Sequence, residues 1–119
     1  MLNDASGFSS VYLVCGYTDL RCGIDGLASI VQQNFKMNPY ERNVLFLFCG
    51  RKTDRIKGLL FEGDGYLLLY KRLEAGKFRW PRSHEEARMI SHQQYVWLME
   101  GLSIEQKKLI AQVNPSRIV

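Results

Sequence analysis

The sequence predicts an α+β fold, an antiparallel β-meander with one N-terminal and one C-terminal helix packed against it. Two observations carry the helices. Ile24, Leu27, Ala28, Val31 and Phe35 recur at helical spacing, as do Tyr95, Leu98, Met99 and Leu102. A third carries the meander: β-type runs between residues 43 and 80 are punctuated by turn-forming clusters.

Taken in order, residues 1–10 are polar and small and read as a flexible arm, followed by a short β-type run at Val11–Cys15 that ends at Gly16. The first apolar stripe predicts a helix over about residues 22–35, stopped by Asn38 and Pro39. Asn43–Cys49 reads as a strand. Val44, Leu45, Phe46, Leu47 and Phe48 are unbroken and apolar, so both faces are buried and the strand is central. Gly50–Thr53 makes a turn into a second strand, Asp54–Phe61. Glu62-Gly63-Asp64-Gly65 is the clearest hairpin signal, leading into a third strand at Tyr66–Leu73. Glu74-Ala75-Gly76-Lys77 turns into a short fourth strand, Phe78–Trp80, closed by Pro81. Residues 82–90 are charged and read as an irregular linker. Ser91 then caps the C-terminal helix with Gln94 as its capping-box partner, and Ser103 with Gln106 restarts a short helix before Pro115.

At 119 residues the chain reads as a single domain, 1–119. That length buries roughly two thirds of the unfolded surface, so no disulfide or metal staple is needed. Cys15, Cys22 and Cys49 are odd in number and none is spaced C-x-x-C, which fits free thiols in a reducing cytoplasm. The N-terminus has no basic region followed by a long apolar run, so neither a signal peptide nor a membrane partner is expected.

The charge is unevenly placed. Residues 51–82 hold nine basic side chains (Arg51, Lys52, Arg55, Lys57, Lys71, Arg72, Lys77, Arg79 and Arg82) against four acids (Asp54, Glu62, Asp64 and Glu74). The remainder has seven basic and eight acidic residues. A basic, aromatic-laced sheet points to a polyanion, with nucleic acid the first choice. If each turn is a four-residue loop, Phe48 lies beside Arg55, Arg55 beside Arg72, and Arg72 beside Arg79. Phe46, Lys57 and Tyr70 form the next row on that face, and Leu47, Ile56, Lys71 and Trp80 lie on the other. Like charges at roughly 5 Å strand spacing repel, so an anion such as a phosphate backbone would relieve the row. The bland alternative is solvated arginines screened by Glu62, Glu74 and Asp54. A one-residue slip would move each arginine to the other face.

Other chemistries find little support. Asp4, Asp19, Asp25, Asp54 and Asp64 fall mostly in turns or at helix starts, and not in a pattern that gathers carboxylates on a metal. His84 and His92 have no cysteine partner at ligand spacing. No phosphate loop and no nucleophile elbow is present. The reading is non-enzymatic, with no cofactor, no metal and no small-molecule substrate.

Three stretches carry a resemblance. They are Val14-Cys15-Gly16-Tyr17-Thr18-Asp19-Leu20-Arg21 with Gly23-Ile24-Asp25-Gly26-Leu27-Ala28; Leu47-Phe48-Cys49-Gly50-Arg51-Lys52-Thr53-Asp54-Arg55-Ile56-Lys57; and Gly63-Asp64-Gly65 leading to Tyr70-Lys71-Arg72-Leu73-Glu74 and Lys77-Phe78-Arg79-Trp80-Pro81. Together they resemble the accessory proteins encoded by the second open reading frame of insertion-sequence-66 elements. Cys22 and Gly50 depart from that pattern, in which a basic residue and Asn are common. The resemblance implies a bacterial protein that supports transposition beside a separate transposase, and it supplies no catalytic residues. The expected partners are DNA and the transposase of the same element. The nucleic-acid candidates are Arg51, Lys52, Arg55, Lys57, Lys71, Arg72, Lys77 and Arg79. A second possibility is a protein–protein adaptor that docks on the transposase through Tyr95, Trp97, Leu98 and Met99.

Overall fold

A computed structural model of the chain describes residues 7–82 and 85–106. Its core is a five-stranded mixed sheet in the order β4-β3-β2-β1-β5, with β1 at Ser10–Val14, β2 at Val44–Cys49, β3 at Arg55–Phe61, β4 at Tyr66–Arg72 and β5 at Ala87–Ile90. Helix α1 (Ile24–Ser29) runs on into a π-helical turn, Ile30–Asn34, and helix α2 covers His92–Met99. Strands β2, β3 and β4 form the expected antiparallel meander. The fold is α+β, with one helix towards each end of the chain.

Strand β2 is central, and all six of its residues are buried because each face is covered. On one face Val14, Phe46, Phe48 and Leu59 pack with Leu27 and Val31 of the first helical segment. On the other, Leu13, Leu47, Ile56 and Leu60 pack with Tyr95 and Leu98 of α2 and with Phe78 and Trp80. Burying each such side chain contributes about 1.5–3 kcal/mol. Gly58 lies in this second layer opposite Leu47, where an added Cβ would stand 3.1 Å from Leu45 and 3.4 Å from Leu47. The predicted capping box is present: Ser91 Oγ accepts from the Gln94 backbone N–H at 3.1 Å, and Gln94 Oε1 accepts from the Ser91 N–H at 2.8 Å. The first helix ends at Lys36, whose φ of 55° turns the chain before Asn38 is reached.

Four features add to or correct the sequence expectations. First, β1 pairs in parallel with β2, Leu13 opposite Leu47, so β1, the first helical segment and β2 form a crossover unit beside the meander. Second, the segment 82–90 is not wholly irregular: Ala87–Ile90 is a strand antiparallel to β1. Third, Phe78–Trp80 does not extend the sheet as a fourth meander strand. It crosses the α2 face with Phe78 and Trp80 buried and Arg79 exposed, and it carries the chain from the β4 edge to the β5 edge. The Phe78 N–H donates to Thr53 O at 2.7 Å, Trp80 Nε1 donates to Val14 O at 2.9 Å, and the Gly16 N–H donates to Pro81 O at 2.8 Å. Fourth, Ser103 opens a turn and not a helix within the described residues, with its Oγ accepting from the Glu105 N–H at 3.1 Å. The rest of that proposed helix lies outside the described residues, as do residues 1–6 of the predicted arm. Ser9, by contrast, is tied down, its N–H donating to Asn43 O at 2.8 Å.

The registers divide in the same way. Between β3 and β4 the expected pairing holds, with Phe61 opposite Tyr66 and Arg55 opposite Arg72. Between β2 and β3 it is offset by two residues: Cys49 faces Ile56, so Phe48 lies beside Lys57 and not Arg55. Asp54 and Arg55 fall out of the β2 ladder, and the Thr53 and Asp54 carbonyls instead accept the N–H groups of Phe78 and Leu73, both at 2.7 Å. An offset of two keeps every side chain on its predicted face. The third register is absent, so Arg79 does not join Arg55 and Arg72.

Candidate nucleic-acid interface

Alternation along β3 and β4 sends Arg55, Lys57, Tyr70 and Arg72 to the face on which α1 packs. The helical segment covers β1 to β3 at the Phe46 level and leaves the far end of that face open. A loop from Gly16 to Cys22 rises beside this opening. It is held by the Thr18 N–H, which donates to Cys49 O at 2.8 Å, and by Lys57 Nζ, which donates to Cys22 O at 3.1 Å. Gly50 lets the loop approach closely, since a Cβ there would stand 3.3 Å from the Leu20 side chain.

The result is a groove of about 1180 Å³ between the loop, the Gly50–Lys52 turn and the two strands. Arg21, Arg51, Lys52, Arg55 and Lys57 line it, against one carboxylate, Asp19. Leu68 and Tyr70 on the strand side, with Leu20 and Tyr17 on the loop side, form its apolar part. Tyr70 is 54% exposed and Tyr17 is 42% exposed, which is high for large aromatic side chains on ordered elements. The Arg82 guanidinium lies 5.5 Å above the Tyr17 ring, within cation–π range.

The cations are not equally available. Arg55 Nε donates to Asp54 Oδ1 at 3.0 Å. Asp54 first, and then the Tyr70 hydroxyl, stabilise the charged guanidinium, while the same contact lowers the Asp54 pKa. Arg21 forms a 2.8 Å ion pair with Asp19, whose pKa falls to about 2 through hydrogen bonds to the Arg21 side chain and backbone N–H. Arg51, Lys52 and Arg72 make no ion pair among the described residues. The cross-strand repulsion anticipated for a three-arginine row therefore shrinks to one pair, Arg55 and Arg72, with Arg55 already neutralised by Asp54.

Of the eight predicted basic residues, the groove gathers Arg51, Lys52, Arg55 and Lys57. Arg72 sits beside it, exposed and opposite Arg55. Lys71 points to the α2 face opposite Ile56. Lys77 lines a separate, smaller depression of about 400 Å³ with Arg51 and Lys52. Arg79 is exposed on the crossing segment, away from the ladder. The sequence reading missed Tyr17, Thr18 and Arg21, which enter the groove from a loop about thirty residues before the basic window. The only sequence signal for them is that their stretch belongs to the resemblance.

The proposed docking stripe fares differently. Tyr95 and Leu98 have no exposed surface and close the core. Trp97 and Met99 are half-buried, and Leu102 beyond the helix is 41% exposed. The three cysteines are free, and burial pushes the Cys49 thiol up to about 12 and raises that of Cys15. Among the described residues no group of three or more His, Cys, Asp or Glu side chains is placed to hold a metal ion. No helix among them is long and apolar enough to cross a membrane.

Comparison with known proteins adds the family. Residues 9–109 match the model of the family described as IS66 Orf2 like protein. Two proteins of Sinorhizobium fredii are similar. Uncharacterized protein y4hO is 40% identical over 92 residues, 77% of this chain and 79% of its own length. Uncharacterized protein y4jC is 29% identical over 100 residues, 84% and 85% of the two chains. No solved structure matches. With the family model spanning the whole sheet, both helices and the groove, the chain belongs to the IS66 Orf2-like family, whose members are accessory proteins of insertion-sequence transposition and not a known catalytic family.

Proposed function

We propose that the protein is a non-enzymatic factor that binds DNA during transposition of its element, using the basic groove as the contact surface. The observation that carries this reading is the convergence on one groove of five cationic side chains and two exposed tyrosines, with only Arg21 and Arg55 of the five paired to carboxylates, Asp19 and Asp54. Arg51 and Lys52 project from the turn at the rim, while Lys57, braced on the Cys22 carbonyl, lies deeper. Such a site holds a phosphate backbone by position and charge, and reads base identity only weakly, because no helix among the described residues projects from it to enter a base-pair groove.

The test is binding of element-end DNA and random DNA over a salt series. Both should bind at low salt with a steep, similar salt dependence, since phosphate contacts release counterions. A flat salt response, or no binding at low salt, refutes the reading. The adaptor alternative draws on Trp97, Met99 and Leu102, which keep some surface at the α2 end. Co-purification with the transposase that survives Arg55→Glu plus Arg72→Glu would favour it.

A further inference from the structure

We propose that the groove takes an unpaired DNA strand and not a duplex, with Tyr70 and Tyr17 as the faces on which its bases stack. The inference rests on the groove being the nucleic-acid site and specifies the form of nucleic acid it fits. Its first support is the order of surfaces. Arg51 and Lys52 stand on the turn at the rim, while Leu68 and Tyr70 lie on the sheet and expose apolar surface to the same space. A single strand presents exactly that pairing of properties only when its bases are unstacked: phosphates along one side, flat apolar rings along the other. A duplex offers phosphates and base edges but hides the ring faces.

The second support is the tyrosines themselves. Tyr70 sits within the edge strand β4 opposite the half-buried Lys57, and more than half of it is in solvent. It lines the groove together with Arg55, and the two are close enough for Tyr70 to favour the charged guanidinium. Tyr17 lines the groove from the loop side, and Arg82, over one face of its ring, braces the ring by a cation–π contact. Third, neither helix presents a basic surface of the kind that enters a major groove. Helix α1 lies against the sheet with Asp25 in its exposed first turn, and the outer residues of α2 include His92, Gln93 and no lysine or arginine. Finally, a space of about 1180 Å³ is comparable to the clefts of roughly 300–1000 Å³ that engulf small ligands, which suits a few nucleotides lying inside it.

The test compares three probes of one mixed sequence, about 12 nucleotides long so as to span a typical single-strand site: single-stranded DNA, the duplex, and single-stranded RNA. Each is titrated by fluorescence anisotropy against the wild-type protein, Tyr70→Leu and Tyr17→Leu. Single-stranded DNA should bind at least about tenfold more tightly than the duplex, and Tyr70→Leu should lose about tenfold on the single strand but less than about threefold on the duplex. Because Tyr70 is largely solvent-exposed, the variant should melt with the wild type, and the retained duplex binding reports that the basic rim is intact. Equal or tighter duplex binding, or single-strand binding indifferent to both tyrosine changes, overturns the inference while leaving a basic DNA-binding groove standing. Tighter binding of RNA than of DNA overturns the choice of DNA. No binding of any probe at low salt overturns both this inference and the function on which it rests.

Discussion

Asp54→Asn should strengthen DNA binding. Asp54 lies next to the groove and its carboxylate holds Arg55 Nε at 3.0 Å, with a second contact from Arg55 Nη2 to Oδ2 at 3.3 Å. Asparagine keeps the shape and leaves the backbone carbonyl free to accept from the Leu73 N–H at 2.7 Å, so the turn should persist. What changes is the charge that Arg55 can offer to a phosphate. If Arg51, Lys52 and Lys57 each neutralise one phosphate and Arg55 is already neutralised, the log–log salt slope on single strands is about −2.1, at about −0.7 per phosphate. Freeing Arg55 makes it about −2.8. Taking the two proteins as equal near 1 M salt, the variant binds about eightfold tighter at about 50 mM and about threefold tighter at about 200 mM. Fluorescence anisotropy over that salt range measures both slope and gain. Unchanged or weaker binding of Asp54→Asn at the low-salt end, with the fold intact, would show that Arg55 does not contact phosphate and would refute the assignment of the groove.

Three further outcomes follow from the same geometry. Asp19 and Asp54 have folded pKa values below the ordinary 3.8, with Asp19 near 2, so the stability they supply is present above that ordinary value and lost as pH falls towards 2. The urea midpoint should fall between about pH 4 and pH 2, and Asp19→Asn should flatten part of that fall; an identical profile for the variant contradicts it. Gly58→Val forces a branched side chain between Leu45, Leu47 and Leu69 and should cost about 1–3 kcal/mol in chemical denaturation, where a neutral result would mean that the layer is loosely packed. Tyr95→Ala should cost about 3–5 kcal/mol, because Tyr95 is wholly buried beneath the sheet; a variant as stable as wild type that fails only in transposase binding would restore Tyr95 to a docking role.

How much of this was legible in the sequence depends on which forces set each element. Strand β2 reads directly, because six buried residues between two covered layers leave an unbroken apolar run. The α2 cap reads because Ser91 and Gln94 act locally, and the Glu62–Gly65 turn reads because Gly63, at φ 98°, admits a conformation that few residues share. Strand β5 does not read. It is a four-residue edge strand with Arg88 and Met89 in its middle, and only its pairing with β1 makes it a strand. The register between β2 and β3 is equally non-local, being set by Thr53 and Asp54 bonding to Phe78 and Leu73. The groove was half legible. Its rim lies in the basic window, but its opposite wall, Tyr17 to Arg21, reaches the site through the crossover between parallel β1 and β2, which periodicity cannot reveal.

That crossover also explains why the groove is where it is. Parallel β1 and β2 end at the same side of the sheet, so the loops that follow them, Gly16–Cys22 and Gly50–Asp54, are neighbours by construction. The C-terminal ends of such strands are where open sheets place their ligands, since the chain turns away there and leaves a crevice. Here the crevice is kept open from behind. Trp80 and Pro81 on the crossing segment hold Val14 and Gly16 through main-chain acceptors, which fixes the base of the loop that carries Tyr17. Lys57 fixes its far end at Cys22, and it can do so because the two-residue offset places it opposite Phe48 at the exit of β2. The same offset that removed Phe48 from Arg55 thus positions a lysine to brace the groove wall. The basic residues therefore differ in their setting: Lys57 braces the groove wall as well as lining it, while Arg51 and Lys52 at its rim stay without ion pairs among the described residues.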